Sequence, residues 1–204
     1  METPERIPGK WRALLILSLA ELLVMAVWFS ASAVIPALTA AWQLDESGRA
    51  WLTMSVQIGF VVGAFGSAVL TLADRIPTRW LLAISALLAG TMTALIPILA
   101  AGPALAVVLR FLTGVFLAGV YPVGMKLMTT WTKADRGLGI GMLVGALTIG
   151  SASPHLLNAL GGVGDWQPVM FLAAGSAFLG AALAVAFVRP GPFVTPSPPF
   201  NIHD

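Results

Sequence analysis

The sequence predicts an all-α membrane protein of six transmembrane helices, built as two inverted three-helix repeats. Of its 204 residues, 58% are hydrophobic and only 10% charged, whereas soluble domains carry roughly a quarter charged residues. Six stretches are long and apolar enough to cross a hydrocarbon core about 30 Å thick. The Lys and Arg residues gather on one side of those stretches.

The spans run from Arg12 to Thr39, Ala50 to Leu72, Trp80 to Ala100, Pro103 to Met128, Gly137 to Leu160 and Pro168 to Val188. The first could be taken for a secretory signal peptide, with Lys10 and Arg12 before it and a small-residue SASA segment inside it. Its apolar run exceeds the 7–15 residues of a signal h-region, so it reads as a retained span. Short polar or turn-like connections follow: WQLDESGR, ADRIPTR, AGP, TTWTKADR and GGVGDWQ. Residues 1–11 form an N-terminal segment, 12–188 the membrane domain, and 189–204 a Pro-rich tail that reads as extended linker.

Orientation follows from charge. One side holds Arg6, Lys10, Arg12, Arg75, Arg79, Lys126, Lys133, Arg136 and Arg189; the other holds Arg49. Both termini are therefore expected in the cytoplasm, with the chain in the cell (inner) membrane. Trp11, Trp42, Trp51, Trp80, Trp131 and Trp166 fall at span ends, where an aromatic belt belongs. Trp28 alone sits inside a span.

The halves resemble each other. Pro36 in AVIPAL and Pro122 in GVYPVG lie 86 residues apart (122 minus 36). Because three is odd, a second set of three helices enters from the opposite side, the inverted topology common in secondary transporters.

Two motifs carry chemistry. LTLADRIPTR, after the second span, contains Asp74, Arg75 and Arg79. RFLTGVFLAGVYPVGMK, in the fourth, contains Arg110, Gly114 and Gly119. With six spans, these resemble the N-terminal half of a major facilitator superfamily transporter over about residues 12 to 190. The family signature in the first loop is Gly-x-x-x-Asp-Arg-x-Gly-Arg-Arg or close to it. This chain departs from it at Leu70, Pro77 and Thr78. The resemblance implies that Asp74, Arg75 and Arg79 help hold a cytoplasmic gate, although a short turn whose basic residues set topology would look the same. It also implies that the first, second, fourth and fifth helices line a central cavity.

A guanidinium facing lipid costs several kcal/mol, so Arg110 is expected to face the protein interior or a wet cavity. At 100° per residue, Arg110, Gly114, Leu117 and Tyr121 share a face. Glu21 is the one carboxylate inside a span. A depth estimate along both helices predicts that Glu21 and Arg110 pair near mid-membrane, as a coupling site or as a permanent ion pair. Trp28 and Gln57 are further candidates for the cavity, as is His155, which an interfacial packing role would suit equally. Gly137, Gly141 and Gly145 form a small-xxx-small stripe for close helix approach. The antiporter Gly-Pro motif of the family is not matched around Pro154.

The chain has no Cys and only two His, His155 and His203, which removes thiol chemistry and a His-based metal site. GSAS at 150–153 lacks the last Gly of a serine-protease setting, and no phosphate loop or acidic metal cluster appears. The sequence therefore predicts no enzyme, no cofactor and no nucleic-acid partner. Its expected partners are the lipid bilayer, a small solute, and either a second six-helix half or a second copy of itself. The expected function is solute transport by alternating access, with proton coupling and an anionic solute allowed. An apolar-compound efflux half or a non-transporting membrane scaffold are the alternatives.

Overall fold

The structure, a computed structural model, describes residues 7–161 and 165–194. Arg6, His203 and most of the Pro-rich tail lie outside them. Among the described residues the chain is helical throughout: α1 (Lys10–Ala33), α2 (Ile35–Trp42), α3 (Glu46–Val69), α4 (Leu72–Arg75), α5 (Thr78–Leu99), α6 (Pro103–Leu117), α7 (Tyr121–Thr129), α8 (Arg136–Gly161) and α9 (Trp166–Phe187). Six runs are long and apolar enough to span a membrane: α1, α3, α5, α6 with α7, α8 and α9. In hydrocarbon every backbone N–H and C=O must be satisfied within the chain, and helices do this segment by segment.

Two spans expected to be continuous are broken. The first stops at Ala33 and restarts at Ile35; the fourth stops at Leu117 and restarts at Tyr121. Proline explains both. Pro36 and Pro122 donate no N–H, and each ring crowds the carbonyl four residues back. Both occupy the start of the new helix, where a missing donor costs nothing. Hence Arg110, Gly114 and Leu117 belong to α6, and Tyr121 opens α7. Pro97 and Pro154 lie inside helices without ending them.

The packing obeys the inverted repeat. The main helix pairs are α3 with α6, α1 with α8, α5 with α9, α1 with α9, and α5 with α6. Exchanging α1 for α6, α3 for α8 and α5 for α9 maps this set onto itself. The two breaks match as well, since α2 and α7 both begin one residue before their proline.

Two apolar clusters fill the bundle. The larger joins Leu14, Leu17, Val24 and Val27 of α1 to Leu82, Leu127, Met128, Leu143 and Ala177. The smaller closes the opposite end around Leu38, Leu52, Ile96, Leu109 and Met170. There Trp42 and Trp166 meet edge to face at 5.3 Å. Asp45 caps α3 by accepting from the Gly48 N–H at 2.7 Å, which starts the helix at Glu46, ahead of the apolar run.

Candidate transport and gating site

The seam between the first and fourth spans holds both buried ionisable residues. Arg110 is fully buried on α6. Its Nη1 donates to the Val27 carbonyl at 2.7 Å and to the Ser30 hydroxyl at 3.4 Å, and its Nη2 donates to the Trp28 carbonyl. A planar guanidinium suits this task, because its fork can grip two adjacent carbonyls. The grip lies within two turns of the α1 break, so α6 is clamped to the far end of α1. Thr113, one turn on, approaches Thr93 of α5 at 3.5 Å.

Glu21 is also fully buried but does not pair with Arg110. Its carboxylate lies against Gly124 of α7, where a Cβ would overlap it. Among the described residues neither carboxylate oxygen has a hydrogen-bond partner. Val27 stands six residues beyond Glu21, about 9 Å along the helix. The predicted ion pair does not form: that offset in depth is enough to part the two, and backbone carbonyls of α1 rather than a carboxylate take the guanidinium, while Glu21 lies against α7.

Glycines set the spacing beside the clamp. A Cβ on Gly114 would overlap the Val56 carbonyl, and one on Gly59 the Phe111 carbonyl, so α3 and α6 touch backbone to backbone. Gly150 does the same for α8 against the Leu22 carbonyl of α1. The stripe Gly137, Gly141 and Gly145 meets nothing among the described residues. The α8 face that packs inward carries Leu143, Ala146 and Gly150, roughly a quarter-turn or more away.

The other predicted residues disperse. Trp28 is half-buried against Phe60 at 4.8 Å between rings. Tyr121 is half-buried at the start of α7. Gln57 on α3 and His155 on α8 are exposed, on the two least buried spans. Asn158, near His155, donates to the Ala33 carbonyl at 2.9 Å, tying α8 to the α1 break.

The loop after α3 docks on the fourth span. Lys126 pairs with Asp74 and donates to the Ala73 carbonyl at 3.1 Å. Arg79 lies 5.5 Å from the Trp80 ring centre, and Arg75 is exposed. Between this loop and the α6–α7 break lies a pocket of about 310 Å³ touched by Ser67, Thr71, Asp74, Ala118 and Pro122. Leu70 needs no glycine, since its φ is −81°; the left-handed turn falls on Thr71 at φ 49°. Two contacts here had no sequence signal. Lys10 reaches Asp135 at 2.6 Å, holding that carboxyl below its usual range. The chain after α9 is also tied down. Gly191 N–H donates to the Thr130 hydroxyl at 2.7 Å and Phe193 N–H to the Thr130 carbonyl at 3.0 Å.

A multi-pass helical bundle with inverted repeats and ionisable groups buried at a repeat interface is the architecture of secondary transporters. The sequence matches the Major Facilitator Superfamily over residues 17–202, and the chain belongs to that family. Its fold is similar to the crystal structure of a bacterial homologue of the human lysosomal transporter Spinster, solved inward-facing and unoccupied. The TM-score is 0.74 at 15% identity, covering 96% of this chain and 46% of that one. The chain thus spans about half the length of that structure. No curated protein matches it.

Proposed function

We propose that this chain is one six-helix half of a transporter that moves a small solute by alternating access, with Glu21 as the proton-coupling group. The observation that carries the reading is the buried, unpartnered Glu21 carboxylate against Gly124 at the seam of two broken spans. An ionised carboxylate without partners in hydrocarbon is expensive. Charge on Glu21 therefore favours a seam opened to water, and a proton on it favours the closed seam seen here. Arg110, clamped to α1, keeps the two broken spans moving together. Asp74, Arg75 and Arg79 belong to the cytoplasmic gate, with Asp74 on Lys126 closing that end. Trp28, Tyr121, Gln57 and His155 are proposed to border the solute path. The chain sits in the cell membrane with both termini cytoplasmic and has no enzymatic role.

The missing wall of the path is a second six-helix half. Spans α3 and α8, repeat mates, have the smallest buried share, and the unpartnered Gly137, Gly141 and Gly145 stripe lies on one of them. Small residues at such spacing let a foreign helix approach closely.

The test uses the absence of native Cys. Gln57→Cys and His155→Cys are exposed to a membrane-impermeant maleimide in sealed vesicles containing the whole transporter. Labelling within minutes is expected at both positions, because a solute path is wet. Refusal of both to label means that these faces meet lipid or packed protein, and removes Gln57 and His155 from the solute path.

A further inference from the structure

We propose that the basic side of the bundle binds the phosphate of an anionic lipid headgroup, in the pocket between the start of α1, Trp131 and the end of α9. This pocket measures about 290 Å³. Arg12 and Arg189 stand at its rim, and Ile16, Ala186 and Phe187 form its deeper wall. No acidic residue lines it among the described residues. The adjacent carboxylate, Asp135, is already engaged by Lys10 at 2.6 Å.

The two arginines divide the work. Arg12 makes no hydrogen bond or ion pair among the described residues, so its whole fork is available to a phosphate. Arg189 is fixed at the end of α9, donating to the carbonyls of Val188 at 2.7 Å, Val185 at 3.1 Å and Ala186 at 3.2 Å. Its charge therefore stands at the pocket mouth without further ordering. Trp131 forms the side wall and donates from Nε1 to the Arg189 carbonyl at 2.9 Å. An amphipathic ring at this level is an interfacial anchor.

The polarity gradient commits the site to a lipid. Ile16 lies one turn deeper than Arg12, and Ala186 and Phe187 precede Arg189 along α9. Phe187 is 51% exposed. Cations at headgroup level above an apolar wall at acyl level match one anionic lipid, the arrangement expected of basic pockets between membrane helices. A free phosphate has no use for that wall.

The test is native mass spectrometry of the 204-residue chain in detergent, titrated with phosphatidylglycerol and, separately, phosphatidylcholine. Arg12→Gln is expected to weaken phosphatidylglycerol binding about tenfold, the scale of a lost charge-assisted hydrogen-bond pair. Because Arg12 holds nothing among the described residues, this variant should fold as the parent does. Ala13→Trp fills the pocket and keeps both charges; it should also lose the lipid. Arg49→Gln, on the opposite side, removes the same charge and should bind as the parent does. Parental affinity in Arg12→Gln or in Ala13→Trp overturns the proposal. So does displacement of the lipid by millimolar inorganic phosphate, which assigns the pocket to a soluble anion, and so does equal binding of phosphatidylcholine.

Discussion

Gly124 and Glu21 form a contact with no slack. A methyl at position 124 would overlap the carboxylate, and overpacking of this kind costs about 1–3 kcal/mol. Gly124→Ala should therefore lower the thermal midpoint. Glu21→Ala in the same chain should restore most of the loss, which a double-mutant cycle on unfolding in detergent would measure; additive effects would mean that the two residues do not touch. Arg110 poses the reverse question. The Val27 and Trp28 carbonyls sit inside α1 and retain their helical partners, so Arg110→Met leaves no orphan acceptor. An apolar side chain of similar length also removes the cost of keeping an unpaired charge out of water. Arg110→Lys keeps the charge but cannot fork to two carbonyls. The lysine variant should be the less stable, by about 1–3 kcal/mol, and both should impair flux in the whole transporter. Equal stability of parent and lysine variant would show that the fork is not what holds α6 to α1.

At the scale of elements, six spans were legible because their apolar runs are long and their ends carry Trp, Lys and Arg. The repeat was legible from Pro36 and Pro122. What those prolines do was not: Pro97 and Pro154 have the same chemistry and leave their helices unbroken, since helix continuation depends on neighbours that can resatisfy the freed carbonyl. Both buried ionisable residues were identifiable as the ones a membrane interior cannot ignore, but nothing in the sequence signals that backbone carbonyls of α1, not a carboxylate, take the guanidinium. Gly150 and Gly124 likewise look no different in sequence from the unpartnered Gly137, Gly141 and Gly145. The tie between the start of α1 and the start of α8 permits an element-level prediction. Lys10 depresses the Asp135 carboxyl in the folded chain, so the pair stabilises above the ordinary carboxylate value of 3.8. That contribution is lost as pH falls below this value toward the lower folded one. The thermal midpoint of the parent should thus exceed that of Lys10→Met slightly at pH 7, as suits a single part-buried pair near the surface, and the two should converge once pH falls below the folded value. A difference that persists in acid would assign the effect to packing of the lysine stem.

For the whole molecule the open question is what covers α3 and α8. Their outward faces carry Val61, Val62 and Phe65 on one helix and Leu138, Val144, Ile149 and Leu156 on the other, all exposed. Lipid satisfies such residues, so apolarity alone does not demand a partner. Gln57, His155 and the bare glycine stripe do not suit lipid as well: a polar side chain at depth is costly, and glycines leave gaps that chains fill loosely. These features sit on repeat mates, which the pseudo-symmetry turns toward equivalent surroundings, and the similar transporter structure is about twice as long. A second half on these faces accounts for all three facts together. The mass of this chain in native lipid particles tests it. A monomer is expected when the chain is expressed alone, with Gly141→Leu leaving its stability unchanged. Co-expression with the complementary half should then yield a one-to-one complex that Gly141→Leu weakens, because a leucine there would hold the incoming helix away. A stable homodimer sensitive to Gly141→Leu would instead mean that two copies supply each other's wall, and flux assays on this chain by itself would become the decisive measurement.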